Sequence, residues 1–144
     1  MDPAVSFITV STADLDAARR FYVDGLGWAP RLDVPNEIIF FQVAPWVILG
    51  LYDAQRFAAD LSADTPAVPA PTGVTLAINV DSDDEVIALI NRVTTLGATV
   101  IKPPQKAAEF NGFHAHFSDP NGLIWEVAHN PSLYTTPDGT IHFA

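Results

Sequence analysis

The sequence lacks cysteine altogether, which excludes disulfide bonds and thiolate metal ligands and leaves the redox compartment undecided. Basic residues are scarce, since seven lysines and arginines stand against seventeen acidic residues for a net charge of −10. This balance disfavours binding to nucleic acid or to anionic lipid. No stretch approaches the ~20 apolar residues of a membrane-spanning helix. No signal peptide is visible either, so we expect a cytoplasmic protein.

Apolar residues are what the chain has in quantity. Of its 144 residues 49% are hydrophobic and only 17% are charged, as is typical of a compact globular protein. That length suits one domain with a sizeable core. Three prolines fall within "TPAVPAPTG" (65–73), which favours a surface linker over a helix or strand.

The same pattern of elements occurs on both sides of this linker. The segments "VSFITV" (5–10) and "VTLAINV" (74–80) alternate as strands do, and each is followed by a helix pattern and then by a Leu-Gly pair, at 26–27 and 96–97. Matching positions are 70 residues apart. We therefore predict a single α+β domain over 1–144, built from a repeated unit that packs a helix on one face of a sheet. Its parts are a first module at 4–61, a linker at 62–73, a second module at 74–131 and a C-terminal tail at 132–144.

Local signals place the elements of the first module. We expect its helix to be capped by Ser11 or Thr12 and to end at Gly25. The apolar segments at 38–43 and 46–52 predict two strands, which a short helix should follow.

The stretch "GFHAHFSDPNGLIWEVAHNP" (112–131) contains an unusual polar group. Its residues 119–122 suit a type I turn that is completed by a left-handed glycine. In the resulting three-residue hairpin His116 lies opposite Glu126, and His114 shares their face. The other face is apolar and fit to receive a helix; it carries Phe113, Ala115, Phe117, Leu123, Trp125 and Val127.

Two of these segments also carry a family resemblance. They are "DLDAARRFYVDGLGW" (14–28) and "DPNGLIWEV" (119–127). Together with the repeat, they resemble the vicinal oxygen chelate superfamily of glyoxalases, bleomycin-resistance proteins and extradiol dioxygenases, over roughly 4–131. The resemblance implies two βαβββ modules in one chain, whose mixed, curled sheets form a cup with the helices outside, and usually a homodimer. It implies no single reaction, because this fold hosts many.

The resemblance further implies where metal-dependent relatives hold their metal. The matching positions are Phe7, Leu49, Thr75 and Glu126, and only Glu126 can ligate a divalent metal well. We therefore expect a member that lacks the usual metal ligands and has neither a metal nor another cofactor. Glyoxalase or ordinary dioxygenase activity is disfavoured on the same ground.

Strand alternation predicts which side chains line the cup. Mostly apolar walls with a few polar groups suit a small, partly apolar molecule, which we expect to bind without a metal. The predicted partners are that molecule and a second copy of the chain, with no nucleic acid and no membrane. The predicted lining residues are Phe7, Thr9, Trp46, Leu49, Thr75, Ala77, Asn79, His114, His116 and Glu126.

Three interpretations of the two histidines and Glu126 stay open. They form a hydrated or dimer-covered strand face, or they hydrogen-bond a ligand, or they make a rearranged two-histidine-one-carboxylate metal site. An enzyme of the lyase, isomerase or dioxygenase type would use His116 and Glu126 as an acid–base pair, with or without a metal. A non-catalytic interaction subunit is the remaining alternative. We expect Glu126 to be protonated or to be paired with His116.

Overall fold

A computed structural model describes residues 1–144 of the protein. It contains two four-stranded mixed sheets with helices and no closed barrel, which confirms the predicted α+β class. The chain divides into two compact units, Met1–Gly73 with Pro120–Leu123, and Val74–Asp119 with Ile124–Ala144. No helix combines the length and the apolar character that crossing a membrane would need.

The first unit contains one of the two sheets. Its strands follow the order β1-β4-β3-β2, with β1 parallel to β4 and the other pairs antiparallel. Its elements are β1 (Phe7–Thr12), α1 (Leu15–Arg19) with a π-helical continuation (Arg20–Gly25), β2 (Leu32–Val34), β3 (Ile38–Ala44), β4 (Val47–Asp53) and α2 (Ala54–Leu61).

The second unit repeats this plan. Its sheet has the order β5-β8-β7-β6, and β5 is again parallel to its neighbour. The last two strands of the chain form a separate antiparallel hairpin. The elements are β5 (Thr75–Asn79), α3 (Asp83–Thr95), β6 (Thr99–Lys106), β7 (Phe113–Ser118), β8 (Ile124–His129), β9 (Leu133–Thr135) and β10 (Ile141–Phe143).

The start of α1 differs from the expected one. The cap is Asp14, whose carboxylate accepts a hydrogen bond from the Ala17 backbone N–H at 2.9 Å. Ser11 and Thr12 belong to β1, because the parallel ladder with β4 continues through Thr12. The caps predicted for this helix were therefore two or three residues too early. The helix continues as a π-helical segment that ends at Gly25, the predicted end.

Each sheet has an apolar face against its helix. In the first unit the aromatic ring of Phe41 contacts those of Tyr22 and Trp28, with centroids 5.7 and 5.4 Å away. In the second unit α3 packs on β6, β7 and β8. The buried side chains there are Val86, Ile90 and Val93 of the helix and Ala115, Phe117, Trp125 and Val127 of the strands. Burial of these side chains removes apolar surface from water and is the main stabilising term.

The turn between β7 and β8 sets the register of the strands that bear the histidines. Gly122 has a φ of 86°, as the predicted turn requires. Ser118 pairs with Ile124, and His116 pairs with Glu126. The predicted three-residue hairpin is therefore confirmed, and a one-residue slip would have moved every side chain to the other face.

Candidate functional site

The face of the second sheet opposite α3 carries three ionisable side chains close together. His114 and His116 alternate along β7, so both rings lie on one face, with centroids 5.2 Å apart. Glu126 extends from β8 on the same face, directly opposite His116. The sheet thus brings together the three polar residues that the sequence singled out.

The shortest contact in the group joins His114 to Glu126. His114 Nδ1 lies 2.8 Å from Glu126 Oε1, a hydrogen-bond distance, and the His114 residue is 5% exposed. The two residues are diagonal neighbours rather than opposite ones, and long side chains reach the diagonal position readily. The hydrogen-bond partner of Glu126 is therefore His114, whereas the expected partner His116 reaches only ion-pair distance, with its Nε2 3.9 Å from the same oxygen.

His116 is the less constrained of the two imidazoles. Its Nδ1 is shielded from solvent but has no hydrogen-bond partner in the protein. Burial lowers the pKa of His116, the charge of Glu126 raises it, and the nearby His114 and Lys102 lower it further. The net direction is a pKa below the usual value, because burial outweighs the charge of Glu126.

Three further neighbours of the group were missed by the sequence analysis. Lys102 and Gln105 on β6 pair with His116 and His114 respectively, and the ring of Phe110 lies 5.4 Å from that of His114. Pro103 and Pro104 lie inside this strand. They are tolerated because β6 is an edge strand, where a missing N–H breaks no essential ladder bond.

The predicted residues of β5 lie on the same face as the histidines. Thr75, Ala77 and Asn79 pair with Ile124, Glu126 and Ala128, and all three β5 residues are exposed. This side of the second sheet therefore surrounds the histidines and the carboxylate with small side chains, which are apolar at Ala77 and Ala128 and polar at Thr75 and Asn79.

The remaining predicted lining residues belong to the first unit. Phe7 and Thr9 are exposed and share one face of β1. Trp46 occupies the β3–β4 turn, where it is 90% exposed and has a φ of 66°. Tryptophan rarely adopts a positive φ, so this turn holds a strained backbone at its tip.

The expected position of Leu49 was wrong. Its ladder partners are Ile8 and Phe41, and it is fully buried at 0% exposed on the helix-bearing face. The residue of β4 that pairs with Phe7 is Ile48. The predicted face of β4 was therefore off by one residue. Both faces of this strand are apolar, so its sequence does not show which residues face the helix.

The group on the second sheet has the composition of a metal site. One ligand atom from each of His114, His116 and Glu126 lies within 4.8 Å of the other two. Two imidazoles and one carboxylate are a known facial set for divalent metals. The expectation that the chain lacks suitable ligands is therefore not confirmed, although the family positions Phe7, Leu49 and Thr75 do not fit a metal.

Comparison with known families identifies one match. Residues 4–127 match the family model described as Glyoxalase/Bleomycin resistance protein/Dioxygenase superfamily. This match covers nearly all of both modules. No curated protein matches the chain.

Several solved structures are similar over 90% or more of the chain. A glyoxalase-related enzyme from Fulvimarina pelagi is 33% identical, covers 100% of this chain and 99% of its own, and has a TM-score of 0.85. A glyoxalase/bleomycin resistance protein/dioxygenase from Nocardioides is 28% identical over 90% and 84% of the two chains, with a TM-score of 0.70. Lactoylglutathione lyase from Agrobacterium tumefaciens is 26% identical over 90% and 96%, with a TM-score of 0.67.

Proposed function

The chain belongs to the Glyoxalase/Bleomycin resistance protein/Dioxygenase superfamily, and from this premise we propose that it binds a small, partly apolar molecule on its second sheet. The binding surface would be the face that carries His114, His116 and Glu126. The molecule would place an oxygen-bearing group, such as a carbonyl or hydroxyl, against these three side chains. Its apolar part would lie on the small side chains of β5 and β8.

The hydrogen bond between His114 and Glu126 carries this proposal. It holds a carboxylate and an imidazole in place beside a second imidazole, His116, whose Nδ1 has no partner. Few polar groups fixed in an apolar setting are what orients a small ligand in a protein site. A shielded ring nitrogen without a partner is unfavourable, and a turn of the ring that exposes Nδ1 would let a ligand hydroxyl or oxygen supply that partner.

The reaction of the lyase relative is not part of the proposal. Of the four family positions, only Glu126 has a side chain able to hold a metal well. The residue of β4 that shares a face with Phe7 is Ile48 rather than Leu49, and isoleucine cannot ligate a metal either. Members of one fold perform different reactions, so the relatives name no substrate for this chain.

The test uses the four histidines of the chain as reporters. We expect small aromatic and aliphatic carbonyl compounds, added singly to chelator-treated full-length protein, to shift the ring NMR signals of His114 and His116. His129 and His142 serve as internal controls, since they lie on β8 beyond the group and on β10. Signals are assigned with single His→Gln variants.

Two outcomes separate binding from a surface effect. Compounds that move the two reporter signals should lose at least about tenfold in affinity in Glu126→Gln, because a charge-assisted hydrogen bond is replaced by a neutral one. If no compound shifts His114 and His116 more than His129 and His142, the group is a hydrated strand face and the proposal is wrong. Native mass spectrometry of the freshly purified protein would identify any retained molecule directly.

A further inference from the structure

We propose that His114, His116 and Glu126 together bind one divalent transition-metal ion of the zinc or iron(II) type, with all three protein ligands drawn from the second sheet. The inference rests on the proposed binding surface and names the group that would hold the ligand's oxygen there. It also departs from the positions implied by the family resemblance, which are spread over both modules.

The pairing of β7 and β8 places the three ligand side chains around one position on the face of the sheet. The His-Ala-His alternation puts both rings on one face, and the opposite strand contributes Glu126 in register with His116. The carboxylate Oε1 is 2.8 Å from His114 Nδ1 and 3.9 Å from His116 Nε2. Three ligands from two paired strands occupy one side of an ion and leave its other positions open.

The distances match what a bound ion requires. Zinc lies about 2.0–2.2 Å from imidazole nitrogen and carboxylate oxygen, so neighbouring ligand atoms are roughly 3–3.5 Å apart. The two measured separations lie on either side of that range, and the complete set lies within 4.8 Å. Side-chain rotations that move the ligand atoms by up to about one ångström would bring them to these separations, with no change of strand register.

The state of His116 is a second, independent observation. A histidine that only packs in a sheet usually has its shielded ring nitrogens paired, but Nδ1 of His116 has no partner. This ring is therefore not committed to a hydrogen-bond network in the fold. The ligand atom would be Nε2, which lies 3.9 Å from Glu126 Oε1, and a ring without a hydrogen bond at Nδ1 is free to turn Nε2 toward an ion.

A second histidine–carboxylate pair in the same unit provides the contrast. His129 Nδ1 lies 2.7 Å from Asp83 Oδ1, as close as the His114–Glu126 pair. No third ligand joins it, since the group of three contains only His114, His116 and Glu126. One imidazole and one carboxylate hold a divalent ion weakly, so His129 is a matched control.

The experiment is a calorimetric titration of Zn²⁺ into chelator-treated full-length protein. We expect one ion per chain, and at least a 100-fold loss of affinity in His116→Ala and in Glu126→Gln, because changes merely near a metal ligand cost 10–100-fold. His129→Ala should bind zinc as the unchanged protein does. Circular dichroism and thermal unfolding confirm that each variant is folded, and the absorption spectrum with Co²⁺ reports the coordination number.

The outcomes distinguish this inference from the proposed function. Absent zinc binding, or binding that survives both substitutions within about threefold, overturns the metal site. If carbonyl compounds still shift the His114 and His116 signals of metal-free protein in that case, the small-molecule proposal stands alone. If zinc binds at the group but no compound does, with or without the ion, the metal site stands and the small-molecule proposal falls.

Discussion

The two sheets have the same strand order but opposite chemistry on the face away from their main helix. The 70-residue spacing of the modules matches Phe7 with Ala77, and the ladders then match Ile48 with Glu126. On the next strand, Gln42 corresponds to His116, because Gln42 pairs with Ile48 and His116 pairs with Glu126.

The corresponding groups differ completely in what they can bind. Phe40 stands in the first sheet where His114 stands in the second, and its ring packs edge-on against Phe7 with centroids 5.5 Å apart. Gly50 leaves room for this pair, since a Cβ there would lie 3.1 Å from the Phe40 ring. The first sheet therefore has an aromatic surface where the second has two imidazoles and a carboxylate.

The difference shows which parts of a repeated module are free to change. The face against the helix must stay apolar and closely packed in both copies, because its burial stabilises the unit. The opposite face makes no such demand, so one copy can carry polar chemistry while the other stays apolar. Function in this fold depends on these few positions rather than on the fold itself.

The largest expected effect tests which face of the first sheet is packed. Leu49→Ala should lower the free energy of unfolding by about 2–5 kcal/mol, because it opens a cavity in a fully buried site. Ile48→Ala on the other face is only partly buried and should cost less than about 1.5 kcal/mol. Urea unfolding of both variants measures the difference, and a larger loss for Ile48→Ala would reverse the assignment of the two faces.

The next effect compares the two histidine–carboxylate pairs of the second unit. Glu126→Leu leaves the buried Nδ1 of His114 without its partner, which should cost about 1–3 kcal/mol of stability. Asp83→Ala breaks an exposed pair of similar length and should cost less than about 1 kcal/mol. Thermal unfolding of the metal-free variants measures both. Equal losses would mean that the surroundings of Glu126 are no drier than those of Asp83.

The sequence predicted the second sheet better than the first for a physical reason. The turn at 119–122 has a residue pattern that permits one register, and that register puts His114, His116 and Glu126 on one face. In β4 nearly every residue is apolar, so alternation leaves no mark and the position of Leu49 was wrong.

The site was predictable in its members but not in its pairing. Strand alternation fixes the face of each side chain, whereas the rotamer and the sheet twist decide that Glu126 reaches the diagonal His114. Lys102 was missed as a neighbour because the pairing of β6 with β7, which is irregular on both sides of Lys102, leaves no mark in the sequence. The homodimer and the bound molecule stay predictions.

A smaller effect concerns the charged groups of the first unit, which lie at its edge rather than on the open face. Arg19 donates two hydrogen bonds to Asp33, from Nη2 at 2.6 Å and from Nε at 2.8 Å, and this contact lowers the pKa of the Asp33 carboxyl. A carboxyl whose pKa is lower in the folded than in the unfolded state stabilises the fold at pH values above its unfolded-state pKa, near 4. That stabilisation is lost as the pH falls through the folded-state pKa. Asp33→Asn should cost about 0.5–1 kcal/mol at pH 7 and less at about pH 3, which is below the unfolded-state pKa. A loss that is the same at both pH values would remove the ion pair as its cause.

The smallest expected effect concerns the positively charged side chain that lies next to Gln42 in the first sheet and next to His116 in the second. In the first sheet Arg31 Nη2 donates to Gln42 Oε1 at 2.9 Å, while in the second sheet Lys102 stands opposite the corresponding His116. An ammonium group on the neighbouring strand repels a bound divalent ion and, in a mostly aqueous setting, weakens its binding by roughly two- to fivefold. Lys102→Gln should therefore raise the affinity for Zn²⁺ by that factor, and the gain should shrink at high salt, since screening shortens the reach of the charge. Lys106→Gln, which changes the same charge opposite Phe113 at the far end of β6, is the control and should change the affinity less. If Lys102→Gln instead weakens zinc binding while the fold stays intact, the lysine supports the group rather than opposing a cation there, and the ion does not lie beside His116.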